Sequence, residues 1–326
     1  LGHNERRISY SNRSIVLKAI FKGGDRPLDF TIGIDIGGTN FRIGMVGRDG
    51  EIINFEKNSS RIFDKGDVIE TLYLNISDYM KRYNASDSIK AVAIGLPSMV
   101  SKDKKTVIST PNLKGFDNIP FGDTLSKKLG IPVYVDRDVN FLLQNDIVTL
   151  GLPKDSTVLG FYIGTGFGNA IYLNGSFYCG RNGAAGELGH IPFPNIEEKC
   201  TCGNVGCSEV ICSGKYLEKI TAELFPETDI KNVFFEHGDD PRIIKYVKDL
   251  AIPIATEVNI LDPDYIIIAG GVVYMKNFPK DILIDSVHFH TRKPYPEKNL
   301  RILFSEHTQQ SGVYGSGDFA WHQLKQ

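Results

Sequence analysis

The sequence predicts an α/β fold built from two related halves. Three observations point there. Short β-rich runs alternate with helix-length amphipathic runs along the chain, the mark of layered α/β architecture. A strand-rich passage turning on paired glycines occurs twice, as "TIGIDIGGTNFRIGMVGRDGEIINFEK" from Thr31 and as "TVLGFYIGTGFGNAIYLNGSFYCG" from Thr157. Finally, 326 residues, 41% of them apolar, suffice for two domains of ordinary size, each with its own core.

The elements follow in order. Residues 1–28 are set apart as an N-terminal extension with no assigned role; Lys18 splits their only apolar run, so no secretory core is formed. The first passage reads as a three-stranded meander, its turns at Gly37-Gly38 and at Arg48–Gly50. A helix over Asp67 to Tyr83 and the apolar strand "AVAIGLP" come next, then a loop rich in turn residues, a helix near Phe121 to Leu129 and the strand "PVYVD". The second passage repeats the layout of the first, with "IGTG" for "IGGT" and "NG" for "DG". Helices are expected near Lys215 to Leu224, Pro241 to Leu261 and Lys280 to His290, with the buried strand "YIIIAG" before the last of these. The strand "LRILF" and a closing helix from Val313 end the chain. No linker separates the halves, so a boundary near residue 140 rests on the repeat alone.

Charge and composition exclude several functions. Lys and Arg number 37 against 39 acids, which leaves no electrostatic footprint for nucleic acid or an acidic membrane surface. The longest apolar run, "YIIIAGGVVYM", is too short to span a bilayer. Three of the five cysteines crowd together as Cys200, Cys202 and Cys207, which suits metal binding in a reducing compartment better than a disulfide framework; a cytoplasmic location is expected.

A hairpin turning on "DIGGTN" (Asp35, Gly37, Gly38, Thr39, Asn40) bares successive backbone N–H groups, so an anionic oxygen can approach. Thr39 adds a hydroxyl, and Asp35 could hold a water of a bound Mg2+ ion. The plainer reading is that such glycines only permit the turn. A second matching turn at Gly164, Thr165 and Gly166 favours a clamp on nucleotide phosphates, with Gly270 and Gly271 of "AGGV" offering a flat surface to an adenosine. Cys200, Cys202 and Cys207 with His190 form a Cys3His set suited to structural Zn2+, against the alternatives of a redox pair or chance clustering. Glu187 and Glu209 flank that set; either they are solvated carboxylates or they are ionised acceptors for sugar hydroxyls. In "VYVDRDVNFLLQNDIV", Asp136 or Asp138 reads either as a helix N-cap or, for Asp138, as the base that takes a proton from an attacking hydroxyl.

The motifs "DIGGTN", "GTG", "GELGH" and "CTCGNVGC" followed by Glu209, in this order over about residues 30 to 325, resemble the ROK family of bacterial sugar kinases and repressors. The resemblance implies a two-lobed actin-like ATPase (ribonuclease H-like) fold with a duplicated β-meander start and a zinc loop. An N-terminal lobe over 29–139, completed by the C-terminal helix 312–326, and a C-terminal lobe over 140–311 are expected. It also implies ATP-dependent phosphorylation of a hexose, usually at the 6-hydroxyl. By resemblance Asp138 is the catalytic aspartate, Asn112 grips the sugar, Glu187, His190 and Glu209 contact ring hydroxyls, and His190, Cys200, Cys202 and Cys207 hold zinc. Homodimers are usual in the family.

Two departures stand out. Glucose-specific relatives carry Asn where this chain has Arg137, and they often carry a bulky apolar residue where it has Ser208. Arg137 is therefore expected at the sugar. The stretches "PSMVSKDKKTVISTPNL" and "RDVN" are similar to the D-allose kinases of the family, so D-allose is the expected substrate, with glucose, fructose or N-acetylmannosamine as alternatives. A sugar-responsive ROK regulator is the other class; the 28 residues ahead of the first strand are too few for a helix-turn-helix domain.

Overall fold

Alternation within the first strand sets the architecture. In β1 (Phe30–Ile36) Ile32, Ile34 and Ile36 are fully buried on one face, and Thr31, Gly33 and Asp35 occupy the other. β2 (Asn40–Gly47) and β3 (Ile52–Ser59) complete an antiparallel meander. The computed structural model describes residues 29–110 and 113–325; the extension at 1–28 and Asn112 lie outside the described residues.

β4 (Ile89–Leu96) pairs with β1 in parallel, β5 (Met99–Val100) and β6 (Val107–Ser109) form a separate ribbon, and β7 (Val133–Arg137) closes a sheet of order β3-β2-β1-β4-β7. The β5–β6 ribbon lies where the sequence suggested only a loop, because strands of two and three residues are too short to leave a periodic signal. α1 (Val68–Arg82) and α2 (Phe121–Leu129) cover the isoleucine face through Leu72, Ile76, Tyr79 and Leu125. Asp67 caps α1 by accepting a 2.7 Å hydrogen bond from the Glu70 N–H. α3 (Asp138–Thr149) follows β7 directly.

The second sheet repeats the plan of the first. β8 (Val158–Ile163), β9 (Phe167–Leu173) and β10 (Ser176–Phe177) form the meander, and β11 (Tyr265–Ala269) and β12 (Ile302–Ser305) add in parallel, in the order β10-β9-β8-β11-β12. α4 (Gly214–Leu224), α5 (Val233–His237), α6 (Pro241–Leu261) and α7 (Lys280–His290) contribute to its larger core. α6 continues through Pro253, whose missing N–H frees the carbonyl of Asp249; the buried thiol of Cys212 donates to that oxygen at 3.5 Å. α8 (Ser311–Gln323) starts two residues ahead of the expected Val313.

α8 returns to the first sheet. Thr31 Oγ1 donates to Gly317 O at 2.8 Å and Trp321 Nε1 to Val46 O at 3.0 Å. The chain thus passes between the sheets twice, along α3, which packs against both α8 and β9, and through residues 306–310. Asp146, fully buried in α3, ties the two passages together: it accepts from Ser305 Oγ at 2.6 Å and from Tyr162 at 3.0 Å, and it meets His307 Nε2 at 2.8 Å. Among the described residues no helix is long and apolar enough to cross a membrane.

The approach of α8 to β1 leaves no room at Gly33, where a Cβ would overlap the carbonyl of Val313. Gly33→Ala is expected to lower stability by about 3 kcal/mol, read as a shift in the urea midpoint. An unchanged midpoint would show that α8 does not bear on β1 in this way.

Candidate active site

The first glycine turn is held from below and open above. Gly37 N–H donates to Asn40 O at 2.9 Å, Ser60 Oγ donates to Gly37 O at 2.6 Å, and Ser60 N–H donates to Thr39 O at 3.0 Å. Gly38 and Thr39 are exposed at the tip, and nothing stands within 4 Å of a Cβ placed on Gly38. Antiparallel register sets Arg42 opposite Asp35, and its Nη1 meets Asp35 Oδ2 at 2.7 Å. Burial raises the Asp35 pKa above the ordinary carboxylate value, although Arg42 pulls it down. Sequence reading passed over Arg42 and Ser60. The hairpin register carried the signal for Arg42, since a turn on Gly37 to Asn40 fixes which residue faces Asp35.

The second turn is laced to its neighbours. Gly164 N–H donates to Gly166 O at 3.1 Å, and the first residues of α4 donate back, Gly214 N–H to Gly164 O at 2.7 Å and Lys215 N–H to Thr165 O at 3.1 Å. β8 and β11 are adjacent, so Gly270 and Gly271 lie beside this turn, and Val272 N–H reaches Ile163 O at 3.1 Å.

Between the turns stands the β7–α3 corner. The N-cap position of α3 falls on Arg137, which makes no side-chain cap, so neither Asp136 nor Asp138 is the cap that the plainer reading expected. Asp136 is buried; its Oδ1 accepts from Arg137 N–H and from Asn140 Nδ2, and its Oδ2 meets Lys104 Nζ at 2.6 Å. Asp138 is the first helical residue, and its Oδ1 accepts from Val139 N–H at 2.8 Å. Its Cα lies 3.5 Å from a Cβ placed on Gly95 of β4, and Val139 Cγ1 lies 2.7 Å from one placed on Gly168 of β9. Burial, and then the charge of Asp35, push the Asp138 pKa up to about 6, against the pull of Val139 N–H and Arg137.

The third wall is the cysteine loop. Ligand atoms of His190, Cys200, Cys202 and Cys207 lie within 4.8 Å of one another. His190 Nδ1 faces Cys200 Sγ at 3.5 Å, and its Nε2 faces Glu187 Oε2 at 3.7 Å, so the ring stands between the sulfur cluster and the acid. Burial and the neighbouring thiols push Cys207 up to about 12, so without a cation it holds its proton and the four groups could act together as metal ligands only once a bound ion displaced it. Glu209 Oε2 accepts from Phe167 N–H at 2.9 Å and lies 2.5 Å from a Cβ placed on Gly166, which joins this loop to the second glycine turn. Ser208 is fully buried; its Oγ donates to Leu188 O at 2.8 Å and its N–H to Ile191 O at 2.9 Å, which pins the end of the loop to the turn carrying His190. A bulky apolar side chain there would forfeit the first of these bonds.

The chain carries two glycine turns, a buried aspartate at a strand-to-helix corner and a Cys3His cluster, and residues 31–323 match the ROK family. The chain belongs to the ROK family.

It is 28% identical to the glucokinase of Thermotoga maritima over 74% of this chain and 81% of that one. It is also 28% identical to a putative xylose repressor of a Caldicellulosiruptor species, over 78% of this chain and 71% of the other. Among solved structures, the ROK family glucokinase from Streptomyces griseus in complex with glucose and AMPPNP superposes with a TM-score of 0.72 at 25% identity, covering 90% of this chain and 99% of that chain. The two-sheet plan is accordingly the actin-like ATPase fold of ROK kinases.

Contacts link the expected residues in groups: Asp35 ends the strand before the first turn, Glu209 lies against Gly166 of the second turn, Glu187 faces His190 of the cysteine cluster, and Asp138 lies within reach of the charges of Asp35 and Glu187. Arg137, expected at the sugar, donates from Nη1 to Ala185 O at 2.6 Å, and its Nη2 meets Glu187 Oε1 at 2.9 Å.

Proposed function

We propose that this ROK-family chain transfers the terminal phosphoryl group of ATP to the 6-hydroxyl of a hexose, with D-allose as its sugar. One observation carries the reading. Arg42 pairs with Asp35 and Arg137 with Glu187, but among the described residues no cation stands at ion-pair distance from Asp138. Burial and the Asp35 charge raise the proton affinity of Asp138, and a group that must take a proton from an alcohol needs that basicity.

In this reading Asp138 accepts the proton as the sugar oxygen bonds to the γ-phosphorus and the bond to ADP breaks. Phosphoryl transfer asks for positioning and charge relief more than covalent chemistry. The turns at Gly37 to Asn40 and Gly164 to Gly166 supply backbone N–H donors for the phosphates, Gly270 and Gly271 face the adenosine, and Asp35 would hold, through water, the Mg2+ ion that offsets phosphate charge. Glu187, His190, Glu209 and Asn112 would hold ring hydroxyls. His190, Cys200, Cys202 and Cys207 fit Zn2+, a closed set of four ligands whose role is to fix the loop bearing Glu187 and Glu209. D-allose is favoured by the residues around Asn112 and Asp138, where the chain departs from the glucose-specific pattern.

An ADP-release assay across D-allose, D-glucose, D-fructose, D-mannose and N-acetylmannosamine tests the reading. Turnover is expected, fastest with D-allose. Sugar binding without ADP release on any of them would instead make the chain a regulator. Asp138→Asn is expected to lower kcat by about 10²-fold or more with sugar affinity largely kept. Because only the ionised form of Asp138 can accept a proton, and its pKa is raised to about 6, kcat/KM should be full above neutrality and fall as pH drops through about 6. A profile flat down to pH 4.5 would remove Asp138 from that role.

Elemental analysis of protein purified without chelator is expected to find about one zinc per chain. Cys207→Ser should lose the metal and raise the sugar KM together; metal-free wild-type protein of full activity would end the zinc assignment.

A further inference from the structure

The segment from Cys179 to Glu187 leaves β10 of the second sheet and lies against the first lobe at three places. Lys104 Nζ, already bonded to Asp136 Oδ2, reaches Cys179 Sγ at 2.8 Å. Gly183, at φ +75°, passes so near β5 that a Cβ would overlap the carbonyl of Val100. Arg137 completes the attachment with its two bonds to Ala185 O and Glu187 Oε1.

The third attachment is placed to act on chemistry. Arg137 is the last residue of β7 and immediately precedes Asp138, so its guanidinium and the unpaired carboxylate issue from one corner of the backbone. The Arg137 side chain is 11% exposed and both ends of its fork are engaged, whereas the Glu187 side chain is 39% exposed. One Glu187 oxygen is therefore fixed, and the other, Oε2, is left facing His190 Nε2. A carboxylate gripped at one oxygen cannot swing to follow a displaced hydroxyl, and a sugar whose hydroxyl misses it leaves a polar group unmatched.

We propose that Arg137 is a positioning residue: it does not touch the sugar but aims Glu187, and through Glu187 it sets which hexose epimers the cleft accepts. The idea rests on the hexose kinase reading for its kinetic consequence and on geometry alone for the clamp. Lysine in its place would keep the charge but lose the planar fork that engages a carbonyl and a carboxylate together.

The test compares Arg137→Asn and Arg137→Lys with wild type, using D-allose and D-glucose, which differ only at C3. Arg137→Asn is expected to raise the KM of the preferred epimer about tenfold or more and to shrink the kcat/KM ratio between epimers, while kcat changes less than about threefold. Arg137→Lys should fall between, and millimolar guanidinium chloride should recover part of the lost affinity in Arg137→Asn. An unchanged epimer ratio in both variants would overturn the proposal, as would a loss confined to kcat. If Arg137→Asn fails to fold by circular dichroism, Arg137→Lys alone carries these outcomes.

Hydrogen exchange of the sugar-free protein reads the clamp separately. Amides between residues 185 and 190 should exchange faster in the variants than in wild type, and equal rates would overturn the clamp. A wild type that phosphorylates none of the hexoses would defeat the kinase reading, with exchange still deciding whether Arg137 holds this wall.

Discussion

The site depends on how charge is apportioned in a confined cleft. Burial, the charge of Asp35 and the charge of Glu187 all raise the proton affinity of Asp138. Arg42 pairs with Asp35 and Arg137 with Glu187. Asp138 has no such cation at ion-pair distance among the described residues. A third cation at ion-pair distance would make the corner more stable as an ion pair and far less able to accept a proton.

Much of the scaffold was legible because its signals are local. Hydrophobic period and the two glycine turns marked most elements to within a few residues, and the repeated passage foretold two halves that each begin with the same meander. Family motifs then pointed to the cysteine loop and to Asp138. What stayed hidden is non-local. Nothing near Arg137 in sequence says that its fork would end on Ala185 O, 48 residues away. Ser60 on Gly37 is hidden for the same reason: a side chain seeks its partner in three dimensions, and periodicity reports only which face it leaves from. The cap at Arg137 was misjudged because an acid at a strand-to-helix junction reads as a cap unless its carboxylate is engaged elsewhere, as Asp136 is with Lys104 and Asn140.

The cysteine loop is fastened to its surroundings at several points. Ser208 fastens its end to the turn of His190, Glu209 fastens its side to Phe167, and His190 stands between the sulfurs and Glu187. Distortion of the cluster would therefore be felt by Glu187 and Glu209.

Asp146 carries a consequence for the mechanics of the whole chain. Two separate strings between two bodies allow twisting as well as bending. Strings knotted to each other at one buried point, as α3 is to the end of β12 by Ser305 and to the stretch after it by His307, act as a single axle. Swinging about that axle would leave the knot intact, whereas shearing across it would strand a desolvated carboxylate. Any breathing of the cleft is thereby steered toward a jaw-like arc with its pivot at the far end of the helix that begins with Asp138.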